Sequence, residues 1–339
     1  MKPYLVDVPV SLNVFVRPNT LSKVFEVVKQ ARPSTLFLVG DGPRESQPTD
    51  KENILKSRKV VEDIDWDCKV YKLYSDVNKG MYKTYFDAQS SIFSIVDRCI
   101  FLEDDVLVSV SFFRYCEELL EKYRDDLRVH YISGMNYLGK YSGPNSDYFF
   151  SGEGSIWGYA TWKRTIELQN LNYRKDEYIM NSIKYLTKIE GKKYYRKVLG
   201  YARSDIYEGH VAGPEFYKNL LKYTYSQTFI IPTKNMVSNI GFTEGSIHAP
   251  DNINKLPRGI QKLFNMKTYE YEFPLRHPDY VIKDIYYERK VHRILGFGHP
   301  LINLYRNVER AFRYLYYGDI KRLFRSILRM LDRKHRYES

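Results

Sequence analysis

The sequence predicts an α/β protein: a mostly parallel, mixed sheet covered by helices on both faces, with a helical extension at the C-terminus. Three observations predict it. Short apolar runs of strand length alternate with amphipathic, helix-length stretches from about residue 8 to about residue 250. Within that alternation, Cys99-Ile100-Phe101-Leu102 is an unbroken apolar run, the pattern of a strand buried on both faces. The chain has 339 residues, 43% of them hydrophobic, which is enough for a large α/β core and an appendage.

Taken in order, Val8 to Val16 reads as the first strand, closed by Arg17-Pro18. Asn19 or Thr20 can cap a helix to about Ala31, with Val24, Val27 and Val28 on its apolar face. Ser34 to Val39 is a second strand. It runs into Gly40-Asp41-Gly42-Pro43, a turn whose glycines allow close backbone approach. Lys51 to Asp65 is charged enough for a solvated helix, and Cys68 to Leu73 alternates like a third strand. Asp76, Asn78 and Gly80 follow, then a helix to about Val96. After the Cys99–Leu102 strand, Ser109 or Ser111 can open a helix, since Phe112, Phe113, Cys116, Leu119, Leu120 and Tyr123 share one face. Val129 to Ser133 is another strand. Residues 134–154 are rich in Gly, Ser, Asn and Tyr and read as a long loop. Ser155 to Trp162 places two tryptophans around Gly158, either as a wall for a sugar ring or as ordinary aromatic core. Residues 171–200 read as a basic exposed helix. Gly213-Pro214-Glu215 precedes a helix with Phe216, Leu220 and Leu221 inward, and Phe229 to Ile231 is a short strand ending at Pro232. Asn239 to His248 is a Gly-rich loop. Beyond Lys255 the alternation stops. Leu301 to Tyr317 and Ile320 to Leu331 read as two helices, broken at Gly318 and with Asp319 as the second N-cap.

The chemistry gathers where Leu102 runs into Glu103-Asp104-Asp105. Three adjacent acids at a strand end repel one another, and a divalent cation is the usual partner that offsets this. Ligands of open α/β sheets sit beyond the carboxyl ends of the strands, which is where these acids fall. A net charge of +12 points to an anionic partner: nucleotide, nucleic acid or membrane surface. Ten Lys/Arg against three Asp/Glu between residues 301 and 336 put much of that charge in the tail, around the Ile320–Leu331 stripe. A basic amphipathic helix of this kind fits an anionic membrane surface, or else a docked helix with a solvated face. The three cysteines, Cys68, Cys99 and Cys116, have no metal-ligand spacing and read as reduced thiols of a cytoplasmic protein. The expected location is therefore cytoplasmic, with a peripheral hold on the inner face of the membrane.

Six segments in this order resemble the GT-A fold glycosyltransferases: Val16-Arg17-Pro18, Asp41-Gly42-Pro43-Arg44, Asp76-Val77-Asn78-Lys79-Gly80, Leu102-Glu103-Asp104-Asp105, Trp157-Gly158-Tyr159-Ala160-Thr161-Trp162, and Val237 to Phe242 with His248. More closely, the chain looks like the bacterial nucleotide-diphospho-sugar transferases of polysaccharide clusters, distantly akin to the N-acetylglucosaminyltransferase I type. The resemblance implies a Rossmann-like α/β/α sandwich over residues 1–254. Its nucleotide-sugar half would be about 1–108 and its acceptor half about 109–254, with 255–339 as an aromatic, basic extension. It implies that Asp105 binds Mn²⁺ or Mg²⁺, with His248 as a further metal ligand. Glu103 and Asp104 would reach the ribose or metal-bound waters. Asp41 would face the nucleotide base, Arg17, Asn78 and Lys83 would line the nucleotide pocket, and Trp157 the sugar. Glu215 matches the catalytic base, although relatives carry Asp there, so Asp205 and Glu208 stay candidates. The donor would be a UDP-sugar and the acceptor a saccharide or lipid-linked saccharide.

Two other classes compete. A metal-dependent nucleotidyltransferase or phosphoesterase also uses clustered acids, but it wants a basic Gly loop near the first strand, and Val8 to Thr20 contains no glycine. A nucleic-acid-binding protein built on the basic tail leaves Glu103 to Asp105 unexplained, because acids repel phosphate. No nucleic-acid partner is therefore expected.

Overall fold

The structure is a computed structural model; it describes residues 1–169, 177–178, 181, 220–222, 224–242 and 252–324. Alternating strands and helices build the first half. They are β1 (Val6–Asn13), α1 (Pro18–Ala31), β2 (Pro33–Gly40), α2 (Asp50–Val60), β3 (Lys69–Tyr74), α3 (Met81–Phe93) and β4 (Arg98–Leu102). Then come β5 (Val106–Val108), α4 (Ser111–Lys122), β6 (Val129–Ser133), β7 (Tyr148–Ser151), β8 (Tyr159–Trp162), α5 (Lys163–Glu167), β9 (Thr228–Pro232) and β10 (Val237–Asn239). Past a helical turn at Arg258–Gln261, α6 (Ile285–Leu295) and α7 (Pro300–Tyr316) follow.

Eight strands form one mixed sheet in the order β3-β2-β1-β4-β8-β6-β9-β7. β3, β2, β1 and β4 run parallel, as do β6 and β9, while β8 and β7 are antiparallel to their neighbours. β5 and β10 pair antiparallel as a separate ribbon. Side chains alternate across the sheet into two cores. Val8, Val10, Leu12, Ile100 and Leu102 pack under α1 and α4. Phe37, Val39, Cys99 and Phe101 pack under α3 and α6. This is the expected mostly parallel mixed sheet between two helical layers.

Several differences from the sequence reading have local causes. The first strand begins at Val6 and stops at Asn13, because Pro18 takes the first position of α1 and the chain between them must turn. Arg17 occupies the N-cap position without capping, since a guanidinium only donates and has no acceptor to offer the helix N–H groups. The loop expected over 134–154 contains β7, four wholly buried residues whose uniform burial gives no alternation to read. The aromatic segment divides. Tyr159 to Trp162 is β8, buried in the middle of the sheet, with Trp162 Nε1 donating to Leu120 O at 3.0 Å. Gly158 tolerates φ +59 just before it. Leu220 and Leu221 are buried as expected. The 171–200 helix, Asp205, Glu208, Glu215, Phe216, His248 and the tail beyond Phe324 lie outside the described residues.

The stretch beyond residue 255 completes the core. Leu263, Tyr271 and Leu275 join the α1/α4 core, and Tyr287 and Val291 of α6 join the other. Glu270 accepts from Val110 N and Ser111 N at 3.1 and 2.8 Å, so a carboxylate from this stretch caps the positive end of α4. Asp284 caps α6 by accepting from Tyr287 N at 2.8 Å, and Gly296 ends it at φ +77. Buried Glu153 lies between Lys222 Nζ at 3.0 Å and His292 Nε2 of α6 at 3.1 Å. Burial alone would raise its pKa, but Lys222 and the hydrogen bond with His292 more than offset this and hold the carboxyl at about 2. The expected helix at Leu301–Tyr317 is α7, and Asp319 opens the next turn, accepting from Arg322 N at 3.3 Å.

Tyr287 is wholly buried. Tyr287→Ala should therefore cost about 3–5 kcal/mol of stability in denaturant titration. A chain ending at Asn254 should show no cooperative unfolding transition. Near-full stability of that shortened chain would instead make the later stretch dispensable to the core.

Candidate functional site

The candidate site is assembled by strand ends. β1, β2, β3 and β4 are parallel, so their carboxyl ends share one edge of the sheet. Leu12 of β1 lies beside Leu102 of β4, which sets the chain after Asn13 next to the chain after Leu102. Arg17 and Glu103-Asp104-Asp105 are therefore neighbours despite the 86 or more positions between them. Beyond β2 comes Asp41, and beyond β3 come Asn78, Lys79 and Gly80. The sequence-predicted residues of the first half thus converge on the edge where open α/β sheets hold ligands.

Arg17 is the cation of this edge. Its guanidinium donates to Asp105 in a close ion pair and reaches Asp104 Oδ1 at 3.4 Å. All three side chains are mostly buried, at 15%, 11% and 10% exposed for Arg17, Asp104 and Asp105. Burial raises the pKa of both acids, and the neighbouring Asp105 adds to the rise at Asp104, while Arg17 opposes it. Two carboxylates against one guanidinium leave the cluster one positive charge short. Asp105 Oδ1 is buried with no hydrogen-bond partner among the described residues. Oδ2 lies against the backbone of Gly241, where an added Cβ would come within 2.0 Å of it. The glycine is required by that close approach. Ile240 N donates to Asp105 O at 2.9 Å and so ties the loop after β10 to the acidic turn. Glu103 is half-buried and opens that turn, its carbonyl accepting from Val106 N at 3.2 Å.

Asp41 is a brace. Its two oxygens accept from Gly42 N at 2.9 Å, Lys79 N at 2.8 Å, Gly80 N at 2.9 Å and Asn78 Nδ2 at 3.1 Å. Asn78 also donates to Gly42 O at 2.8 Å. These bonds fix the Asn78–Gly80 turn against the end of β2 and shape one wall of the edge. Lys83 stands on the exposed part of α3 and pairs with Asp87 at 3.1 Å.

Trp157 lies half-buried just before β8. Its ring packs on Phe264 at 5.1 Å between centroids, and Phe264 meets Phe242 edge-on at 4.4 Å. Phe242 follows Gly241, so this aromatic group begins one residue from the Asp105 contact. Phe264 was missed by sequence reasoning because it belongs to the stretch beyond 255. It is held there by Asn265 N, which donates to Asn239 O at 3.0 Å. Nothing local in the sequence marks this pairing.

Among the described residues, no three His, Cys, Asp or Glu side chains converge as a metal-binding group. Asp104 and Asp105 supply two carboxylates, and His248, Glu215 and Asp205 lie outside the described residues. Among the described residues, no helix is long and apolar enough to cross a membrane.

No protein-family profile matches the sequence, and no curated protein matches it either. Among solved structures, the chain is similar to a UDP-glucose pyrophosphorylase complexed with UDP-glucose, at 13% identity and a TM-score of 0.29, covering 48% of this chain and 78% of that one. It is also similar to the apo form of mouse xyloside xylosyltransferase 1, at 10% identity and a TM-score of 0.34, covering 66% of this chain and 84% of that one.

Arg17→Met removes the only cation bonded to the buried acids among the described residues, and should destabilise the fold by about 3–5 kcal/mol at neutral or higher pH. Burial raises the carboxyl pKa values above their unfolded values, so the folded state takes up protons more readily. The loss should therefore shrink as pH falls and the acids become neutral. Adding Asp105→Asn should relieve it at all pH values. Denaturant midpoints across pH measure this, and a pH-independent loss would trace the damage to packing.

Proposed function

We propose that this chain is a metal-dependent glycosyltransferase. It moves a sugar from a nucleoside-diphospho-sugar, a UDP-sugar by resemblance, to a hydroxyl of a saccharide or lipid-linked saccharide acceptor in surface-polysaccharide synthesis. The observation that carries this reading is the buried Arg17–Asp104–Asp105 cluster at the carboxyl edge of β4, one positive charge short and with the inner oxygen of Asp105 unpartnered. A divalent cation suits both deficits, and the hard carboxylate oxygens suit Mn²⁺ or Mg²⁺. Asp105 would hold it, with His248 as the further ligand the resemblance implies. When bound, such an ion neutralises the charge that develops on a nucleoside-diphosphate leaving group.

The chain's own residues supply the rest. Arg17 opposes the neutralisation that burial imposes on the two acids and would add positive charge near the diphosphate. Asp41 and Asn78 hold the turn that would wall the nucleotide side, and Glu103 and Asp104 would reach the ribose or metal-bound waters. Trp157, Phe242 and Phe264 offer a half-buried aromatic surface on which a sugar ring can stack. The acceptor hydroxyl is a poor nucleophile at neutral pH. A carboxylate opposite the leaving group, Glu215 or in its place Asp205, takes its proton as the new bond forms. Attack from that face inverts the anomeric carbon.

Release of UDP from a panel of UDP-sugars, with and without Mn²⁺, tests the reading. Asp105→Asn preserves shape and should lower turnover by about 10²–10³-fold, the scale seen when one group stabilising a developing charge is removed. Glu215→Gln should lower kcat by about 10²–10⁴-fold while donor binding persists. Unaltered turnover of Asp105→Asn in chelator-treated buffer would remove the acidic turn from the chemistry. Pyrophosphate release in place of UDP release would move the site to nucleotidyl transfer.

A further inference from the structure

Helix α7 buries none of its residues, yet it is strongly two-sided. Leu301, Leu304, Tyr305, Val308, Phe312 and Leu315 recur at three- and four-residue spacing and so form one stripe. All six are exposed, from 47% at Val308 to 78% at Leu301. The opposite face is polar, and it is the face bonded to the body. Asn303 Nδ2 donates to Gly296 O, Arg306 to Ile294 O and Arg313 to Asn254 O, each at 2.7 Å. A core helix does the reverse, turning its apolar side inward. Rolling the stripe of α7 inward would break all three bonds. Past Gly318 the pattern resumes, with Ile320 55% and Phe324 62% exposed.

Charge decides what covers the stripe. Residues 300–324 carry five Lys/Arg and two Asp/Glu. Both acids are consumed by cations: Glu309 pairs with Arg313 at 2.9 Å and Asp319 with Lys255 at 3.0 Å, their side chains 12% and 16% exposed. A second copy of this surface would set like charge against like charge. An anionic lipid surface complements both the apolar stripe and the net positive charge of residues 300–324. Tyr305 and Tyr316 add rings with an apolar body and a polar tip, suited to headgroup depth.

We infer that α7 is an in-plane membrane anchor whose Leu301–Leu315 stripe seats in the surface of an anionic leaflet. The inference rests on this surface alone and stands whether or not the transferase reading does.

Co-sedimentation of the full chain with phosphatidylcholine vesicles, with and without phosphatidylglycerol, tests it. The chain should bind the anionic vesicles and release as salt rises. Leu304→Ser with Phe312→Ser should reduce binding by roughly tenfold or more, since two large apolar side chains leave the lipid. Both positions face solvent, so the melting temperature should not change. A chain ending at Tyr317 should keep part of the binding. Three results would overturn the proposal: a full chain that ignores anionic vesicles, a double variant that binds like the parent, or a shortened chain that loses all binding. Sedimentation equilibrium showing a dimer that the double variant dissolves would assign the stripe to a second copy and overturn it as well.

Discussion

Two adjacent carboxylates buried at the end of a central strand are the constraint around which this molecule is arranged. Left alone, Asp104 and Asp105 would repel each other and favour solvent or a proton. The fold answers with Arg17, delivered by the neighbouring strand, and with a glycine at 241 that lets a second loop close over the pair. Much else follows from that placement. α1 forgoes a side-chain cap because its N-cap position holds Arg17, which has no acceptor. The β5/β10 ribbon exists where the acidic turn and the Gly241 loop meet. One guanidinium faces two carboxyl groups, and the inner oxygen of Asp105 has no hydrogen-bond partner among the described residues.

The later third of the chain is woven into this arrangement. Its contributions are dispersed: a helix cap at Glu270, core side chains at Tyr271 and Tyr287, an aromatic face at Phe264 and a partner for Glu153 at His292. Each replaces a local solution that the first part of the sequence lacks. α4 has no side-chain cap of its own, and α6 packs Tyr287 and Val291 on the sheet face that carries Phe149, Phe229 and Ile231.

This division explains what could be read in advance. Parallel strands and their helices announce themselves by periodicity, so β1 to β4, α4 and the strand-end position of the three acids were legible, while the gathering of Arg17, Asp41 and Asn78 beside them was implied only by the resemblance. β7 was not, because four buried residues between Gly- and Ser-rich loops carry no period. α6 left usable signals in Asp284 and Gly296, eleven helical residues apart, which were obscured by the aromatic and charged mixture around them. Phe264 and Glu270 left none. Their roles depend on which distant backbone they reach, and a single sequence does not state that.

The late arrival of α6 has a consequence for how the chain is made. Gly152 waits 136 positions for Glu288, and Tyr141 waits 143 for Asp284. During synthesis the N-terminal strands can pair as they emerge, but Tyr131, Phe149, Phe229 and Ile231 lack their contacts with Tyr287 and Val291 until α6 has left the ribosome. The acidic site shares this schedule, since its aromatic side needs Phe264. Closure of the second core is thus a long-range step, and before α6 docks the nascent protein has a formed sheet with one face incompletely covered, the state most in need of protection from its neighbours.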